Sequence, residues 1–136
     1  METMKDYKVL VADDDKLSVD LAKCYLTDMW ISNENIDVAN NGNEAVTKAT
    51  KNLFDVVIMD IRMSWKTGIE ATQEIKDHHN GNSPTVIAYT ASASDINKPE
   101  FKIMDGIMVK PISKVDFQKM ILNALIAKTL DKKNLG

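Results

Sequence analysis

Phe54-Asp55-Val56-Val57-Ile58-Met59-Asp60 is a short apolar run that ends in a carboxylate. Its two valines and one isoleucine favour a β-strand, and consecutive apolar residues indicate a strand that is buried on both faces. In a parallel sheet, ligands bind in the crevice beyond the carboxyl ends of the strands. We therefore expect Asp60 to lie in a binding site and to be the reactive group of the protein.

Four further apolar runs predict the neighbouring strands of the same sheet, at 8–12, 36–39, 85–89 and 107–109. Helical spacing or helix-start residues predict five intervening helices, at 16–29, 44–51, about 67–79, about 99–104, and from Ser113 to about 130. Strands that alternate with helices across short connections are typical of a parallel sheet covered on both faces. The expected fold class is α/β, a (βα)5 doubly wound sheet with five parallel strands. No linker or repeat divides the chain, so we expect a single domain over residues 1–136.

The composition excludes several classes of protein. The 136 residues are 44% hydrophobic and 27% charged, which is typical of a soluble globular domain. A net charge of −3 argues against nucleic-acid binding, and the lone Cys24 excludes a disulfide framework. No apolar run has the roughly 18 residues that a bilayer span needs. We expect a cytoplasmic protein with neither a nucleic acid nor a membrane as partner of this chain.

Polar side chains follow four of the expected strands at the point where each strand ends. They are Asp13 and Asp14, Asp60, Thr90, and Lys110. Clustered carboxylates repel one another, and a hard divalent cation such as Mg²⁺ (or Mn²⁺) relieves that repulsion while it also binds phosphate oxygens. An aspartate can act as a nucleophile and form an aspartyl phosphate. The pattern therefore points to phosphoryl transfer onto Asp60, with Thr90 and Lys110 in contact with the phosphoryl oxygens.

Four motifs in this order resemble the receiver domain of two-component response regulators over about residues 7–130. They are VLVADDD at 9–15, IMDIRM at 58–63 with Gly68, VIAYTA at 86–91, and VKP at 109–111. The resemblance implies a flavodoxin/CheY-like sheet of order 2-1-3-4-5. The segments at 68–72 and 110–112 look most like receivers attached to hybrid sensor kinases.

The same resemblance assigns roles to the polar residues. Asp60 would accept a phosphoryl group from a histidine kinase or a histidine phosphotransfer protein. Asp13 and Asp14 would hold Mg²⁺, together with Asp60 and the backbone carbonyl of Arg62. Thr90 and Lys110 would be the switch and phosphate-contact residues. The chain would be a signalling receiver whose only expected catalysis is its own phosphorylation and dephosphorylation, although a hybrid histidine kinase containing it would be a kinase.

Three departures from the family pattern concern how phosphorylation of Asp60 would change other surfaces of the protein. Ser64 stands where proline is usual, Ile107 replaces the aromatic residue that often precedes the lysine by three positions, and the segment from Thr90 to Lys110 is short. They leave an alternative open, namely a protein-interaction module that keeps the fold and has a degenerate switch. A phosphohydrolase with an aspartate nucleophile is a further alternative, but the residues after Asp15 do not match its motif.

Candidate partner surfaces lie on the first and last of the five expected helices. Leu17 follows the acidic cluster and should be exposed beside the site, where a phosphodonor helix could dock. An apolar stripe should face outward on the last helix, at Val115, Leu122, Ile126 and Leu130. It is either a partner surface or a loosely covered apolar face. Trp65 either touches a partner or covers its own loop, and we expect it to pack on a neighbouring side chain.

Overall fold

The computed structural model describes the backbone of residues 4–135 and the side chains of residues 4–130. Within that part of the chain, five strands alternate with four α-helices. The strands are β1 Val9–Ala12, β2 Ile36–Ala39, β3 Val56–Met59, β4 Thr85–Thr90 and β5 Gly106–Val109. The helices are α1 Lys16–Thr27, α2 Gly42–Lys51, α3 Gly68–His79 and α4 Lys114–Leu135. Short 3₁₀ segments cover Met4–Asp6, Asn33–Asn35, Ala93–Asp95 and Pro99–Ile103.

All strand pairs are parallel, and the strand order is β2-β1-β3-β4-β5. The predicted α/β fold and its flavodoxin/CheY-like order are therefore confirmed. Side chains alternate between the two faces along each strand, and every residue of β1 and β3 is buried. This explains why these strands are continuous apolar runs rather than alternating ones.

The two faces of the sheet carry separate cores. On one face, α1 and α4 pack Leu26, Phe117 and Ile121 against Val11 and Ile58. On the other, small and aliphatic side chains of α2 and α3 pack against the opposite sides of the same strands. We call these the α1/α4 face and the α2/α3 face.

The expected fourth of five helices, at 99–104, is wrong. The connection from β4 to β5 contains only the 3₁₀ segments Ala93–Asp95 and Pro99–Ile103. Serine, aspartate and asparagine are frequent in residues 92–98, and their side chains compete for backbone hydrogen bonds. Pro99 begins the second segment, where its missing N–H costs nothing. Phe101 and Met104 are buried and anchor this connection on the α2/α3 face.

Side-chain caps fix where the helices begin. Asp15 caps α1 by accepting from the Ser18 amide, and aspartate is a favoured residue at this position. Thr67 and Glu70 form a capping box at the start of α3. The Ser113 hydroxyl accepts from the Asp116 amide at the start of α4. The backbone of α4 continues to Leu135, beyond the end expected near residue 130.

Candidate functional site

Three site residues continue the strands by one residue at the carboxyl edge of the sheet. Their amides donate ladder hydrogen bonds: Asp13 to the Ala39 carbonyl (3.0 Å), Asp60 to Ala12 (2.8 Å) and Lys110 to Thr90 (2.8 Å). Side chains alternate between the two faces along a strand. Asp13, Asp60 and Lys110 therefore lie on the side of the sheet that faces α1 and α4. The strand ladder thus directs these three side chains toward one another.

Lys110 joins the two buried carboxylates of the site. Its Nζ donates to Asp13 Oδ2 at 2.7 Å and lies 3.9 Å from Asp60 Oδ2. The other oxygen of Asp13 accepts from the Asp15 amide at 2.9 Å. Asp13 is 1% exposed and Asp60 is 7% exposed. The structure therefore brings the expected acceptor, one expected metal ligand and the expected phosphate-contact lysine into a single cluster.

Asp14 completes an acidic group with Asp13 and Asp60. One carboxylate oxygen from each residue lies within 4.8 Å of the others, and Asp14 is exposed to solvent. Hard divalent cations prefer such oxygen ligands, and Mg²⁺ commonly combines one or two carboxylates with water. The donor set and its open side therefore fit a divalent cation.

Burial and charge raise the pKa of Asp60 to about 7. Desolvation is the largest cause, the charge of Asp13 adds to it, and the Lys110 ammonium opposes both. A bound divalent cation would favour the ionised carboxylate and oppose this shift. The same environment therefore disfavours the free anion and favours cation binding.

Thr90 ends β4 with its side chain on the α2/α3 face, opposite in parity to Asp60 and Lys110. It is buried, and its hydroxyl oxygen accepts from the Ser92 amide at 3.1 Å. The hydroxyl thus fixes the start of the irregular connection that follows β4.

Tyr89 contacts the site, which the sequence analysis did not foresee. The Lys110 Nζ lies 4.6 Å from the centroid of the Tyr89 ring, and Tyr89 is 2% exposed. Burial, followed by the charge of Asp13, raises the pKa of this phenol to about 12, so the ring is neutral. A signal was present in the sequence, because Tyr89 pairs with Met108 and therefore shares a face with Lys110 two residues later.

Arg62 links the segment after Asp60 to the segment after Thr90, which the sequence analysis also missed. Its Nη2 donates to Asp95 Oδ2 at 3.0 Å, and Lys98 Nζ lies 3.1 Å from Asp95 Oδ1. Hydrogen bonds from Arg62 and Lys98 hold the pKa of Asp95 below its ordinary value. No local pattern joins residues so far apart, so the sequence carried no signal for this contact. The expected role of the Arg62 backbone carbonyl stays a prediction.

The loop between Asp60 and α3 approaches its neighbours closely and projects outward at its middle. A Cβ at Gly68 would lie 2.1 Å from the Asp60 carbonyl oxygen, so only glycine fits there. Trp65 is 84% exposed, and the expectation that it packs on a neighbour is wrong. Its φ of 75° is positive, which is uncommon for a residue other than glycine. Leu17 is 75% exposed, as expected.

The family model of the response regulator receiver domain matches residues 9–122 of this chain. The chain belongs to this family. The receiver domain is a signalling domain of two-component systems, so the function class expected from the motifs is confirmed. The matched range contains all five strands and every residue of the acidic cluster.

Curated relatives include regulators and hybrid kinases. The transcriptional regulatory protein ResD of Bacillus subtilis is 30% identical over an alignment that covers 83% of this chain and 45% of ResD. Hybrid signal transduction histidine kinase I of Dictyostelium discoideum is 32% identical over an alignment that covers 92% of this chain and 8% of the kinase. The chain therefore spans less than half the length of ResD and a small part of the kinase.

A solved structure supports the same fold. The response regulator TrrA of Thermotoga maritima, in complex with Mg²⁺-BeF, is 27% identical with a TM-score of 0.79. The alignment covers 88% of this chain and 99% of TrrA. Among residues 4–135, no helix combines the length and apolar composition that crossing a bilayer requires.

Proposed function

We propose that Asp60 accepts a phosphoryl group from a phosphohistidine donor, with Lys110 and Thr90 in contact with the transferred group. One observation carries the proposal: the acidic cluster of Asp13, Asp14 and Asp60 contains a buried carboxylate with an ammonium 3.9 Å from its oxygen. In phosphoryl transfer, a protein contributes mainly by positioning the reacting groups and by stabilising the charge on the transferred group. This arrangement supplies both at the end of a rigid strand.

The transfer exchanges one bond to phosphorus for another. An Asp60 carboxylate oxygen attacks the phosphorus, the P–N bond to the donor imidazole breaks, and the imidazole takes up a proton from water. The nucleophile must be ionised, whereas the metal-free site raises its pKa to about 7. Lys110 already lies between Asp13 and Asp60, so its ammonium can contact a phosphoryl oxygen with little rearrangement.

The acidic cluster would hold Mg²⁺, or Mn²⁺ in its place. Asp13, Asp14 and Asp60 would supply side-chain oxygens, and Arg62 would supply its backbone carbonyl. The ion supplies charge neutralisation for the transferring group. The complex of the relative TrrA with Mg²⁺-BeF supports this assignment.

Phosphorylation would bias an equilibrium between two surface states that differ in partner affinity. The partners in transfer would be a histidine kinase or a histidine phosphotransfer protein, with the α1 and α4 surfaces as candidate contacts. Leu17 and the outer residues of α4 are exposed there: Val115, Leu122, Ile126 and Leu130. The chain would not turn over external substrates, and residues 1–136 would act as a single receiver unit in the cytoplasm.

Labelling from acetyl phosphate tests the acceptor. With Mg²⁺, the wild-type protein should incorporate one phosphoryl group, EDTA should abolish incorporation, and Asp60→Asn should remain unlabelled. Asp77→Asn, on the exposed C-terminal part of α3, is the matched control and should label like the wild type. Equal labelling of Asp60→Asn and the wild type would remove Asp60 from this role.

A second candidate is a protein-interaction module that has kept the fold and lost the switch. It is favoured by Ile107, which replaces the usual aromatic residue, and by the 3₁₀ segments between β4 and β5. Beryllofluoride with Mg²⁺ separates the two candidates by NMR. Amide shifts that spread beyond the acidic cluster support the switch, whereas shifts confined to that cluster support the module.

A further inference from the structure

The ring of Tyr89 lies beneath the ammonium of Lys110. The Nζ is 4.6 Å from the ring centroid and 2.7 Å from Asp13 Oδ2. An aromatic face attracts a cation through its quadrupole, and the attraction is larger where water is excluded. Tyr89 is almost completely buried, and the Lys110 side chain is 17% exposed. The contact is therefore a desolvated one.

The strand register fixes this contact. Tyr89 pairs with Met108, and Lys110 lies two residues further along, on the same face of the sheet. The Lys110 amide donates to the Thr90 carbonyl at 2.8 Å, which keeps the lysine in strand geometry. The ring is therefore held by the core, and the lysine is held by the ladder.

The ring supplies a restraint that Asp13 alone does not. A lysine side chain has four flexible methylene groups, and its ammonium can reach a single carboxylate oxygen in many conformations. A second contact from the ring face selects among them. The selected position is 3.9 Å from Asp60 Oδ2, within easy reach of a group attached to Asp60.

We propose that Tyr89 is the positioning residue for Lys110 in phosphoryl transfer, its ring face holding the ammonium between Asp13 and Asp60. The inference rests on the proposed function of Asp60. It assigns no bonding step to Tyr89, since the ring acts only through the lysine. It differs from switching through an aromatic residue at position 107, because Tyr89 lies on the α1/α4 face and Ile107 packs on the α2/α3 face.

The ring also connects the lysine to the protein surface. Tyr89 meets Phe117 of α4 edge to face with centroids 6.1 Å apart, and Phe117 meets Tyr25 of α1 in the same way at 5.3 Å. The Tyr25 carbonyl accepts from the Gln118 side chain at 2.9 Å. A change in the position of Lys110 is therefore expected to reach the junction of α1 and α4 through packed rings.

The test compares Tyr89→Leu, which removes the ring, with Tyr89→Phe, which keeps the face and removes the hydroxyl. Tyr89→Met retains more of the buried volume and serves as a second ring-free variant. Phe101→Leu removes a buried ring on the α2/α3 face, away from Lys110, and is the matched control. Two quantities are measured: the NMR shifts of the Lys110 ε-methylene protons in the free protein, and the Kd of beryllofluoride at saturating Mg²⁺.

The wild-type ε-methylene protons of Lys110 should resonate upfield of those of exposed lysines, because they are bonded next to the Nζ that lies over the ring. Tyr89→Phe should keep this shift, and both ring-free variants should lose it. The Kd of beryllofluoride should rise about tenfold in the ring-free variants, the amount expected for a desolvated cation–π contact. It should stay within about twofold in Tyr89→Phe and Phe101→Leu, and the Kd of Mg²⁺ should be unchanged throughout.

Several outcomes contradict the inference. Normal beryllofluoride affinity in both ring-free variants removes Tyr89 from the positioning role, and an equal loss in Tyr89→Phe assigns the effect to the hydroxyl. An equal loss in Phe101→Leu assigns it to general loosening of the core. Failure of the wild type to bind beryllofluoride overturns the proposed function of Asp60, whereas an unshifted Lys110 methylene in the wild type overturns the ring contact alone.

Discussion

The two faces of the sheet are covered in different ways. The α1/α4 face lies under two regular helices, and its core contains the buried rings of Tyr89 and Phe117. The α2/α3 face lies under regular helices only over part of its width, and the β4–β5 end is covered by two 3₁₀ segments. Both faces belong to the same strands, so the difference arises in the connections and not in the sheet.

Most of the residues that would bind the phosphoryl group lie on one face of the sheet, and the residues that would respond to phosphorylation lie on the other. Asp13, Asp60 and Lys110 lie on the α1/α4 side of the sheet, which two regular helices cover. Thr90 and Ile107 have the parity of the other face, beside the irregular connection. A phosphoryl group on Asp60 would therefore be bound on the α1/α4 side of the sheet. A change at Thr90 would affect the irregular connection on the α2/α3 side.

The largest predicted loss of stability comes from removing a buried aromatic ring, and the two faces can be compared by removing one ring from each. Phe117→Ala should lower the free energy of unfolding by about 4 kcal/mol, because the Phe117 ring is fully buried and packs against the rings of Tyr25 and Tyr89. Phe101→Ala should cost about 3 kcal/mol, because the surrounding 3₁₀ segment can move into the space. Urea unfolding followed by circular dichroism measures both. A larger loss for Phe101→Ala would show that the irregular connection is the more rigid cover.

Gly68→Ala should have the next largest effect. The added methyl group would lie 2.1 Å from the Asp60 carbonyl oxygen, so the start of α3 must move away from β3. We expect a loss of about 3 kcal/mol in unfolding free energy and weaker Mg²⁺ binding, because Asp60 is displaced. Gly81→Ala, at an open position with positive φ, controls for glycine loss away from the site. Unchanged Mg²⁺ affinity in Gly68→Ala would contradict the close coupling of α3 to Asp60.

Asp60→Asn should stabilise the metal-free protein above pH 7. The folded pKa of about 7 lies above the unfolded value near 3.8, so the folded state binds more protons between these values. Stability of the wild type should therefore fall as pH rises from about 4 to 7, and the deficit should persist above pH 7. At pH 8 in EDTA, the variant should gain about 2 kcal/mol after allowance for partial solvation.

The control for this prediction is the comparison at pH 4, where Asp60 of the folded wild type is protonated. The wild type and the variant should then have nearly equal free energies of unfolding. Mg²⁺ should stabilise the wild type more than the variant at pH 8. Thermal melts at both pH values, with and without Mg²⁺, provide the comparison. An Asp60→Asn protein that is less stable than the wild type at pH 8 in EDTA contradicts the assigned cost of burying an ionised Asp60 carboxylate beside Asp13.

Arg62→Gln should have the smallest effect on global stability and a local effect on the irregular connection. The Arg62 side chain is 74% exposed, and exposed ion pairs contribute little. Loss of its bond to Asp95 should speed amide hydrogen exchange in residues 93–103 and leave α1 and α4 unchanged. Lys98→Gln removes the other partner of Asp95 and should give a weaker version of the same change. Equal acceleration on both faces would remove the distinction between them.

The sheet and most of the site could be predicted from the sequence because both follow from strand ends. Apolar runs fixed the strands to within one or two residues, and the ladder then placed Asp13, Asp60 and Lys110 side by side. Capping by Asp15 and Ser113 was also readable, since caps depend on residues within one turn. These features could be predicted from neighbouring residues and from the alternation of side chains along each strand.

The features that were missed depend on contacts between distant segments or on weak local preferences. The Arg62–Asp95 bond joins two loops separated by 33 positions. The segment after Thr90 lacks a continuous apolar repeat of several turns, so Pro99 was a poor indicator of an α-helix. The contact of Tyr89 with Lys110 depends on how β4 pairs with the neighbouring strand β5, where Tyr89 lies opposite Met108.

Both tryptophans have positive φ, 73° for Trp30 and 75° for Trp65, and both are largely exposed. Their indole rings are therefore surrounded by water in the folded protein, as they are in the unfolded chain. Intrinsic fluorescence should change little in wavelength on denaturation, which makes it a poor monitor of folding. The same property makes Trp65 a specific optical reporter of the loop that follows Asp60, once Trp30 is replaced by phenylalanine.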